Sequence, residues 1–427
     1  MTTDVLADLE ARGLVQLTTD RDALAARLAE GPLTAYLGLD PTADSLHIGN
    51  LIGLLVLRRL ADAGHRVIGL AGGATGLVGD PSGRSDERNL LDDATLAANA
   101  AAISAQIRRV VDPDGSRGAT FVDNRDWTED LTVIDFLRDV GRHVTVNQMV
   151  ARESVRARLD SEHGLSFTEF SYMLLQARDY LHLHQAQGCD LQVGGSDQWG
   201  NIVSGVDLVR RVTGHHVHAL CWPLLTGADG AKLGKSTGGR VWLDAGRTSP
   251  YQLFQHFMQV DDADLERHLL WFTLLPGDEV ADLLARHRAD PGARPAHRRL
   301  AREVTALVHG ADAARTAEEA TDVLFGGDPT TASEAALEAV AREVPVADVD
   351  DIAAGPPVST LLVASGLVRS TSEARRALDQ GGVYVNGTRQ EADRPLTPDD
   401  LLHGARAVLR RGKRAYAVAQ VGPAGQV

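Results

Sequence analysis

Near its start the sequence runs strand, helix, strand within about forty residues, and this order constrains the fold more than any other feature. Residues 33–40 alternate with a period of two, which predicts a strand that Pro41 ends. An apolar helix is predicted from Ser45 to about Ala63, and a second strand at 67–71. Such a βαβ unit builds a parallel sheet with its loops at the carboxyl ends of the strands, where α/β proteins bind ligands.

A glycine-rich segment, residues 72–84, follows the second strand. Its glycines permit tight turns or a close approach of the backbone to a ligand. Neither phosphate fingerprint fits it, because it contains no G-x-x-x-x-G-K-[ST] and no properly placed G-x-G-x-x-G. The segment therefore indicates a ligand loop only in combination with other features.

A second glycine-bearing loop, residues 194–201, follows a strand predicted at 190–193 and leads into a helix that reaches about Arg211. A glycine pair followed by a carboxylate at the end of a strand is typical of a loop that holds a ribose. Ser196 or Asp197 is equally able to cap the helix. Both interpretations remain open at this point.

The predicted helix at 166–183 carries two stripes. One is apolar at helical spacing and predicts a core face: Phe170, Leu174, Ala177 and Leu181. The other, on roughly the opposite face, is polar: Tyr172, Gln176 and Asp179. The polar stripe indicates either a ligand pocket or a solvated surface.

Lysine is rare in this chain, and its positions are informative. Only three occur, at Lys232, Lys235 and Lys413, whereas the other basic residues are arginines. Two compact point charges on one glycine-flanked loop suit closure on a polyphosphate. A solvated basic turn is the alternative.

The remaining elements complete a multidomain chain. Helices are predicted at 92–111 and 131–141 with a strand at 119–123 between them, and the pattern from 249 to 324 is helical without strands. Residues 325–357 are expected to be mainly a linker, with a possible short helix at 333–343. The compact end is predicted as helices at 359–365 and 371–380, a strand and tight turn at 381–387, and strands at 406–418.

Composition restricts the class of protein. A length of 427 residues with 44% hydrophobic and 24% charged residues is typical of a globular protein with two or three domains. The longest apolar run, near 51–57, is too short to span a bilayer, and the start lacks the pattern of a signal peptide. Cys189 and Cys221 form neither a disulfide framework nor a zinc site. We therefore expect a cytoplasmic protein without a membrane partner.

Charge is distributed unevenly along the chain. The net charge is −15, yet residues 358–427 carry 10 Lys and Arg against 6 Asp and Glu, a net of +4. An acidic body with a basic C-terminal module indicates that the module binds a polyanion.

Two short motifs connect these features to a known family. His47-Ile-Gly-Asn50 and, about 185 residues later, Lys232-Leu-Gly-Lys235-Ser236 resemble the HIGH and KMSKS signatures of class I aminoacyl-tRNA synthetases. Four longer segments resemble the bacterial tyrosyl-tRNA synthetases: residues 36–42, 72–83, 166–176 and 194–201. The C-terminal module resembles the small RNA-binding fold that this family shares with a ribosomal small-subunit protein.

The sequence departs from the family pattern at several of these positions. Asn50 replaces the second histidine of HIGH, and its amide remains a hydrogen-bond donor. Arg84 stands where the family often has lysine, which keeps the charge and changes its geometry. Leu37 stands where some relatives have a small polar residue, and Leu233-Gly234 replace Met-Ser.

The resemblance implies an α/β fold and a domain order. We expect a Rossmann-like parallel-sheet catalytic domain at 1–246, with a dimerisation segment inserted at about 125–190. An all-helical domain at 247–324, the linker at 325–357 and a small α+β RNA-binding domain at 358–427 would follow.

The resemblance also implies the site residues. Those expected to act on the phosphates are Thr42, His47, Asn50, Arg84, Arg88, Lys232, Lys235 and Ser236. Those expected to contact ATP are Gly38, Asp40, His47, Gly49, Asn50, Gly195, Asp197, Lys232 and Lys235. Those expected around the tyrosine substrate are Tyr36, Thr75, Asp80, Tyr172, Gln176, Asp179, Gln192 and Gln198. Those expected on RNA are Arg410, Arg411, Lys413 and Arg414.

The implied activity is tyrosine–tRNA ligation. ATP would be a substrate, with Mg²⁺ bound to it and no dedicated metal site in the protein. The implied partners are tRNA(Tyr), L-tyrosine, ATP and a second copy of the chain. A tryptophan-specific relative and an RNA-binding protein with a vestigial synthetase body are the alternatives. The pairing of Tyr36 with Asp179 and the long C-terminal module favour the tyrosine enzyme over the tryptophan one.

Overall fold

The structure is a computed structural model that describes residues 4–80, 91–152, 155–156, 159, 165–225, 240–353 and 355–422. Among these residues, no helix has the length and apolarity that a membrane span requires. The chain forms two compact units. The first contains Met1–Thr248 and Val260–Ala296, and the second contains Ser249–Gln259 and His297–Val427.

The helices alternate with strands in the first half of the chain. Those of the first half are α1 Val5–Ala11, α2 Arg21–Ala29, α3 Ile48–Asp62, α4 Asp93–Val111, α5 Arg125–Thr128, α6 Val133–Asp139, α7 Val146–Val150, α8 Phe167–Gln187 and α9 Trp199–Thr213. Those of the second half are α10 Pro250–Met258, α11 Leu265–Phe272, α12 Gly277–Ala289, α13 Pro295–His309, α14 Ala311–Leu324, α15 Glu334–Glu343, α16 Val358–Ala364 and α17 Thr371–Asp379.

The strands form two sheets. Those of the first unit are β1 Leu17–Thr18, β2 Thr34–Leu39, β3 Arg66–Ala71, β4 Thr120–Asp123, β5 Cys189–Gly195 and β6 His218–Trp222. Those of the second unit are β7 Val346–Val349, β8 Val383–Val385, β9 Thr388–Arg389, β10 Arg406–Arg411 and β11 Ala415–Val421.

The sheet of the first unit has the order β1-β6-β5-β2-β3-β4. Its pairings are parallel except at the edge, where β1 runs antiparallel to β6. The predicted α/β class and the predicted βαβ start are confirmed. Strands β1 and β6 were not predicted from the sequence, because β1 has two residues and β6 is buried along most of its length, so neither shows an alternating pattern.

The order of the sheet contains a point where the chain reverses direction across it. From β2 the chain moves outward through β3 and β4, and it then returns to the other side of β2 as β5. In parallel α/β sheets the crevice at such a switch point, beyond the carboxyl ends of the strands, is the usual place for a ligand. In register, Tyr36 of β2 lies between Ile68 of β3 and Gln192 of β5.

Helices α3 and α8 each bury an apolar side in the core of the first unit. The buried side of α3 includes Leu51, Leu54 and Leu57, all fully inaccessible, so this helix supplies much of the core beside β2. The apolar stripe of α8 packs in a cluster with Tyr36 and Tyr180, whose rings meet edge to face at 5.3 Å.

The stretch from 250 to 324 is helical without strands, as predicted. The structure nevertheless divides it between the two units, which differs from the single helical domain expected at 247–324. In the first unit, the guanidinium of Arg12 donates to the carbonyl oxygens of Leu270 (3.1 Å) and Leu275 (2.8 Å). The indole of Trp271 donates to the Arg12 carbonyl at 2.9 Å. These long-range hydrogen bonds connect α11 to the N-terminal helices of the first unit. Helical periodicity in the sequence does not reveal them.

The second unit contains a five-stranded sheet of order β7-β11-β10-β8-β9. Its first strand corrects the sequence analysis, since β7 falls in the expected linker 325–357 and pairs in parallel with β11. The helix expected at 333–343 is present as α15, and its residues Leu337 and Val340 pack with Val408 and Val418 of the sheet. The alanine-rich, acidic composition of residues 325–357 suggested a linker. In β7, however, alternate residues are buried, as in a strand that packs one face against a core.

The tight turn predicted at the end of 381–387 is confirmed. Asn386 and Gly387 both have positive φ, 48° and 80°, between β8 and β9. Two successive residues in the left-handed region define the turn that suits a two-residue hairpin, and asparagine followed by glycine tolerates it best.

Candidate active site

The N-terminus of α3 lies at the end of β2 and is capped by side chains. The Nδ1 atom of His47 accepts a hydrogen bond from the Gly49 amide, and the Asn50 side chain accepts one from the His47 amide, both at 3.0 Å. A β-carbon on residue 49 would lie 2.9 Å from the His47 ring, so glycine is needed there. Burial, assisted by the charge of Arg240, lowers the pKa of His47 to about 4.

These contacts define what the helix start offers to a ligand. A neutral imidazole whose Nδ1 accepts a hydrogen bond carries its proton on Nε2, which is then a donor. The helix dipole makes the start of α3 favourable for an anion, phosphate in particular, whereas its first amides already donate hydrogen bonds within the chain. Thr42, in the loop between β2 and α3, has an exposed side chain.

Asp40, at the carboxyl end of β2, joins three segments. It accepts hydrogen bonds from the Thr75 hydroxyl at 2.7 Å and from the Tyr172 hydroxyl at 2.8 Å. A β-carbon on residue 72 would lie 2.2 Å from an Asp40 oxygen, so glycine is required where the loop passes the carboxylate. The glycine-rich segment therefore permits close packing here.

Asp179 is fully buried on the polar stripe of α8. Its carboxylate accepts hydrogen bonds from Asn124 Nδ2 and Trp127 Nε1, each at 2.9 Å, and the same Asn124 nitrogen donates to the Thr75 hydroxyl at 3.0 Å. Burial raises the pKa of Asp179 to about 7, although the two hydrogen bonds oppose the shift. The polar stripe is therefore buried around an ionisable group, which rules out the solvated-surface alternative for Tyr172 and Asp179.

Asn124 and Trp127 were missed by the sequence analysis. Asn124 is fully buried and directly follows β4, so its position at the carboxyl end of a predicted strand was a usable signal. Trp127 offered no such signal, because only the tertiary structure brings its indole to Asp179.

Several buried polar atoms around this network have no partner among the described residues. They are the Tyr36 hydroxyl, Gln176 Oε1 and Gln192 Oε1. Burial, and then the negative charge of Asp179, raise the pKa of Tyr36 well above its usual value, so its hydroxyl stays protonated. Unpaired buried polar atoms are costly and rare, and a polar ligand that pairs with them would explain their presence.

A second carboxylate lies at the end of the glycine-rich segment. Asp80 is buried and accepts hydrogen bonds from Gln198 Nε2 at 2.6 Å and Asn201 Nδ2 at 3.3 Å. Asn201 lies in the 194–201 segment but was not among the predicted site residues. A buried carboxylate held by two amides is a suitable acceptor for a substrate cation.

The loop after β5 does not have the capping geometry that the sequence left open. Residues Ser196–Gln198 form a 3-10 turn, and α9 begins at Trp199 without a side-chain cap. The capping alternative for Ser196 and Asp197 is therefore wrong. A β-carbon on Gly195 would lie 2.9 Å from Asp197 Oδ1, so the backbone passes close to this carboxylate. Gly38, near the end of β2, is exposed.

Some predicted site residues cannot be placed. Arg84, Arg88, Lys232, Lys235 and Ser236 lie outside the described residues.

The basic cluster at the C-terminal end is divided by the structure. Lys413 and Arg414 are exposed in the turn between β10 and β11. Arg411 donates to the Leu367 carbonyl and to Glu373, both at 2.8 Å, so its charge is largely used within the unit. Arg410 lies over the ring of Tyr384, at 4.0 Å from its centroid.

Fold and site together define a class I aminoacyl-tRNA synthetase: the family model described as tRNA synthetases class I (W and Y) matches residues 28–326. A second model, described as the tyrosine–tRNA ligase SYY-like C-terminal domain, matches residues 336–419. The tyrosine–tRNA ligase of Opitutus terrae is 50% identical over 98% of this chain and 99% of its own length. That of Mycobacterium leprae is 51% identical over the same shares. The chain belongs to the tyrosine–tRNA ligase family.

Solved structures agree with this placement. A C-terminally truncated mitochondrial tyrosyl-tRNA synthetase from Aspergillus nidulans has a TM-score of 0.70 at 32% identity, covering 76% of this chain and 94% of that one. A tryptophanyl-tRNA synthetase from Encephalitozoon cuniculi has a TM-score of 0.55 at 14% identity, covering 74% of this chain and 91% of that one. The second similarity shows a common fold and does not distinguish the two amino acids.

Proposed function

We propose that this chain activates L-tyrosine with ATP, giving tyrosyl-adenylate and pyrophosphate, and then transfers the tyrosyl group to the 3′ end of tRNA(Tyr). The observation that carries this proposal is the buried pair formed by Tyr36 and Asp179. One offers a hydroxyl without a partner, and the other offers a carboxylate that retains acceptor capacity. A substrate phenol would donate to the carboxylate and accept from the hydroxyl.

Specificity in this proposal rests on unpaired groups. Phenylalanine would leave the Tyr36 hydroxyl and part of the Asp179 carboxylate buried without partners. Tyrosyl enzymes are themselves the usual example of such discrimination. The ammonium of the substrate would meet Asp80, Tyr172 and Gln176, and Gln192 and Gln198 would form the wall.

Catalysis in this proposal needs no protein nucleophile. The substrate carboxylate attacks the α-phosphorus of ATP, and pyrophosphate leaves. The chain positions the reactants and stabilises charge on the phosphates through Thr42, His47, Asn50 and the start of α3. Arg84, Arg88, Lys232, Lys235 and Ser236 would complete this set, and contacts that strengthen only as charge develops raise turnover. Mg²⁺ would enter with ATP and offset part of its phosphate charge.

ATP would be held beyond the start of α3. In this proposal its ribose is bound by Asp197 and the backbone at Gly195, and Gly38 and Asp40 line the approach from the end of β2. Gly49 lets the His47 ring keep its position beside the phosphates, because a β-carbon on residue 49 would collide with that ring.

We further propose a homodimer built on the segment at about 125–190. Large apolar side chains in this segment are exposed in the single chain, among them Val133 at 72%, Ile134 at 69% and Phe167 at 79%. Exposed apolar surface of this kind is typical of a protein interface. The RNA would contact the C-terminal unit through Arg410, Lys413 and Arg414, whereas the Arg411 assignment is weakened by its pairing with Glu373.

Amino-acid-dependent exchange of pyrophosphate into ATP tests the activity. We expect exchange with tyrosine and little with tryptophan or phenylalanine. Exchange driven by tryptophan, or no exchange with any amino acid, would contradict the proposal.

The substitution Tyr36→Phe tests the specificity. Loss of one hydrogen bond of about 1 kcal/mol should lower the preference for tyrosine over phenylalanine roughly fivefold. The melting temperature should stay the same or rise, because the hydroxyl is unpaired in the free protein. Unchanged discrimination would remove Tyr36 from the site.

A further inference from the structure

The backbone at the start of α3 has already used the hydrogen-bond donors that a helix start usually offers to an anion. The Ile48 amide donates to the Val241 carbonyl at 3.1 Å, and the Gly49 amide donates to His47 Nδ1 at 3.0 Å. The next two amides of the helix donate to the His47 carbonyl. These are the four amides that have no partner further back in the helix. An anion held at this place therefore depends on side chains for its hydrogen bonds.

The described side chains proposed for the phosphates of ATP carry no positive charge. Thr42 and Asn50 are uncharged residues, and His47 is neutral near pH 7 because its pKa is lowered to about 4. A triphosphate carries several negative charges, and hydrogen bonds from a cation stabilise such charges more strongly than hydrogen bonds from neutral donors. A cation beside the start of α3 would supply what these three residues lack.

Residues 240–243 run beside the start of α3 and carry such a cation. Trp242 pairs with His47 in an antiparallel bridge. Backbone hydrogen bonds flank this bridge on both sides, so it is a non-hydrogen-bonded pair, in which the facing side chains lie closer together. Arg240, two residues before Trp242, places its guanidinium over the indole ring at 5.0 Å from the centroid.

Two arginines contact the Trp242 ring, and they differ in their ion pairs. Arg247 lies 4.8 Å from the ring centroid and forms an ion pair with Asp44 at 2.5 Å. Arg240 is exposed and forms no ion pair with any residue that the structure describes. Its charge nevertheless reaches the site, since it assists burial in lowering the pKa of His47. The indole ring thus orients a cation that acts on His47 and that remains available to a ligand.

We propose that Arg240 is a further catalytic residue, whose guanidinium donates hydrogen bonds to the departing pyrophosphate during adenylate formation. In that step the tyrosine carboxylate oxygen bonds to the α-phosphorus, the bond from the α-phosphorus to the bridging oxygen breaks, and its electron pair stays on pyrophosphate. The planar guanidinium meets the charge that develops there with two donors. Arg247 has no such role, because Asp44 neutralises it. The inference rests on the proposed function and adds one residue to it.

The test compares Arg240→Ala with Arg247→Ala in the full chain. Both variants remove an arginine from the same indole ring, so the second is the matched control. The rate of tyrosyl-adenylate formation is measured in single turnovers with saturating ATP and tyrosine. We expect Arg240→Ala to lower this rate about ten- to a hundredfold, the loss of one charge-assisted hydrogen bond. Arg247→Ala should stay within about twofold of wild type, because an exposed ion pair contributes little.

Three further measurements separate a catalytic contact from a structural role. The melting temperature and the dissociation constants for tyrosine and ATP should stay near wild type in Arg240→Ala, because the contact strengthens only as charge develops. Arg240→Lys should recover part of the rate, since lysine keeps the charge and loses the planar fork. Free guanidinium ions should raise the rate of Arg240→Ala and leave the rate of Arg247→Ala unchanged.

Other outcomes overturn the inference. Arg240→Ala at the wild-type rate would remove the residue from the reaction, and equal losses in both alanine variants would reduce its role to general charge. A lower melting temperature or weaker tyrosine binding in Arg240→Ala would indicate a structural role. Normal adenylate formation with slow transfer to tRNA would assign the guanidinium to the phosphates of the RNA.

Pyrophosphate exchange by wild type is measured first, which keeps two failures apart. Absence of exchange in wild type would mark the failure of the proposed function. An active wild type together with an unimpaired Arg240→Ala would mark the failure of the Arg240 assignment alone.

Discussion

At the scale of single residues, burial sets the protonation states on which recognition depends. His47 is neutral near pH 7 because burial lowers its pKa to about 4, so its Nε2 remains a donor. Asp179 behaves in the opposite way, since burial raises its pKa to about 7. The carboxylate of Asp179, the acceptor for the proposed substrate phenol, therefore titrates within the physiological pH range. His47, on the phosphate side of the site, does not.

The affinity for tyrosine should consequently fall as the pH falls through 7. A carboxyl with a pKa of about 7 is roughly 90% ionised at pH 8 and 10% ionised at pH 6, so the dissociation constant should rise about tenfold over that interval. Calorimetric titration with tyrosine measures it. Asp179→Asn is the control and should bind weakly at every pH. A wild-type affinity that is flat between pH 6 and 8 would show that Asp179 stays ionised or lies away from the substrate.

At the scale of elements, the site is assembled from the ends of strands and the start of one helix. The loops after β2, β3 and β4 supply Asp40, Thr75 and Asn124, and β5 ends at Gly195. The start of α3 adds the capped N-terminus with His47. Parallel strands place all these loops at one edge of the sheet. The distribution over distant parts of the sequence follows from that topology.

The substitution Gly49→Ala should separate the two halves of this site. The new β-carbon would lie within 3.0 Å of the His47 ring and displace it from the cap. We expect the kcat of pyrophosphate exchange to fall by one to two orders of magnitude, because loss of a donor aimed at developing charge costs about that much or more. The dissociation constant for tyrosine should stay near wild type. Calorimetry and exchange kinetics give the two numbers. A parallel loss of tyrosine affinity would mean that the helix start also shapes the amino-acid pocket.

At the scale of the whole molecule, the chain is organised as two units whose sequences interleave. Residues 260–296 belong with the N-terminal sheet, whereas 249–259 belong with the C-terminal unit. In the second unit, α14 and α15 share an apolar cluster with the final strands, which includes Ala320, Leu337 and Val408. Removal of the tail should therefore affect more than RNA binding.

A fragment that ends at residue 357 tests this organisation. The described residues of the predicted tyrosine and ATP sites lie in the first unit, so we expect tyrosine-dependent exchange to persist while tRNA charging is lost. Loss of β10 and β11 uncovers Ala320, Leu337 and Val340, so the fragment should bind a hydrophobic dye and aggregate more readily than the full chain. Equal loss of exchange and charging would contradict the modular organisation.

The proposed dimer makes a prediction of its own. Ile134→Asp and Phe167→Asp place charges on the exposed apolar surface of the 125–190 segment, and a charge buried without a partner is costly. Sedimentation should show a dimer for wild type and a shift towards monomer for these variants. Phe325→Asp is the matched control, since this residue is equally exposed but lies in the other unit. An unshifted dimer in both variants would place the interface elsewhere.

Much of this protein was determined by sequence patterns that act locally. Alternation at 33–40, an apolar stretch after Ser45 and the Asn386-Gly387 pair predicted a strand, a helix and a hairpin turn that the structure contains. These signals depend on near neighbours, because side-chain period and backbone preference are properties of a few consecutive residues. The motifs around His47 and Lys232 added the family, although the lysine loop lies outside the described residues.

Only the tertiary structure decided what depends on contacts between distant residues. In the folded chain Trp127 and Asn124 donate hydrogen bonds to Asp179, and Arg12 binds α11 within the first unit. Residues 346–349 form the strand β7 because they pair with β11. Each of these depends on a partner 50 or more residues away, about which a local pattern carries no information. The protonation of Asp179 belongs to the same class, because a pKa of about 7 arises from burial that only the complete fold produces.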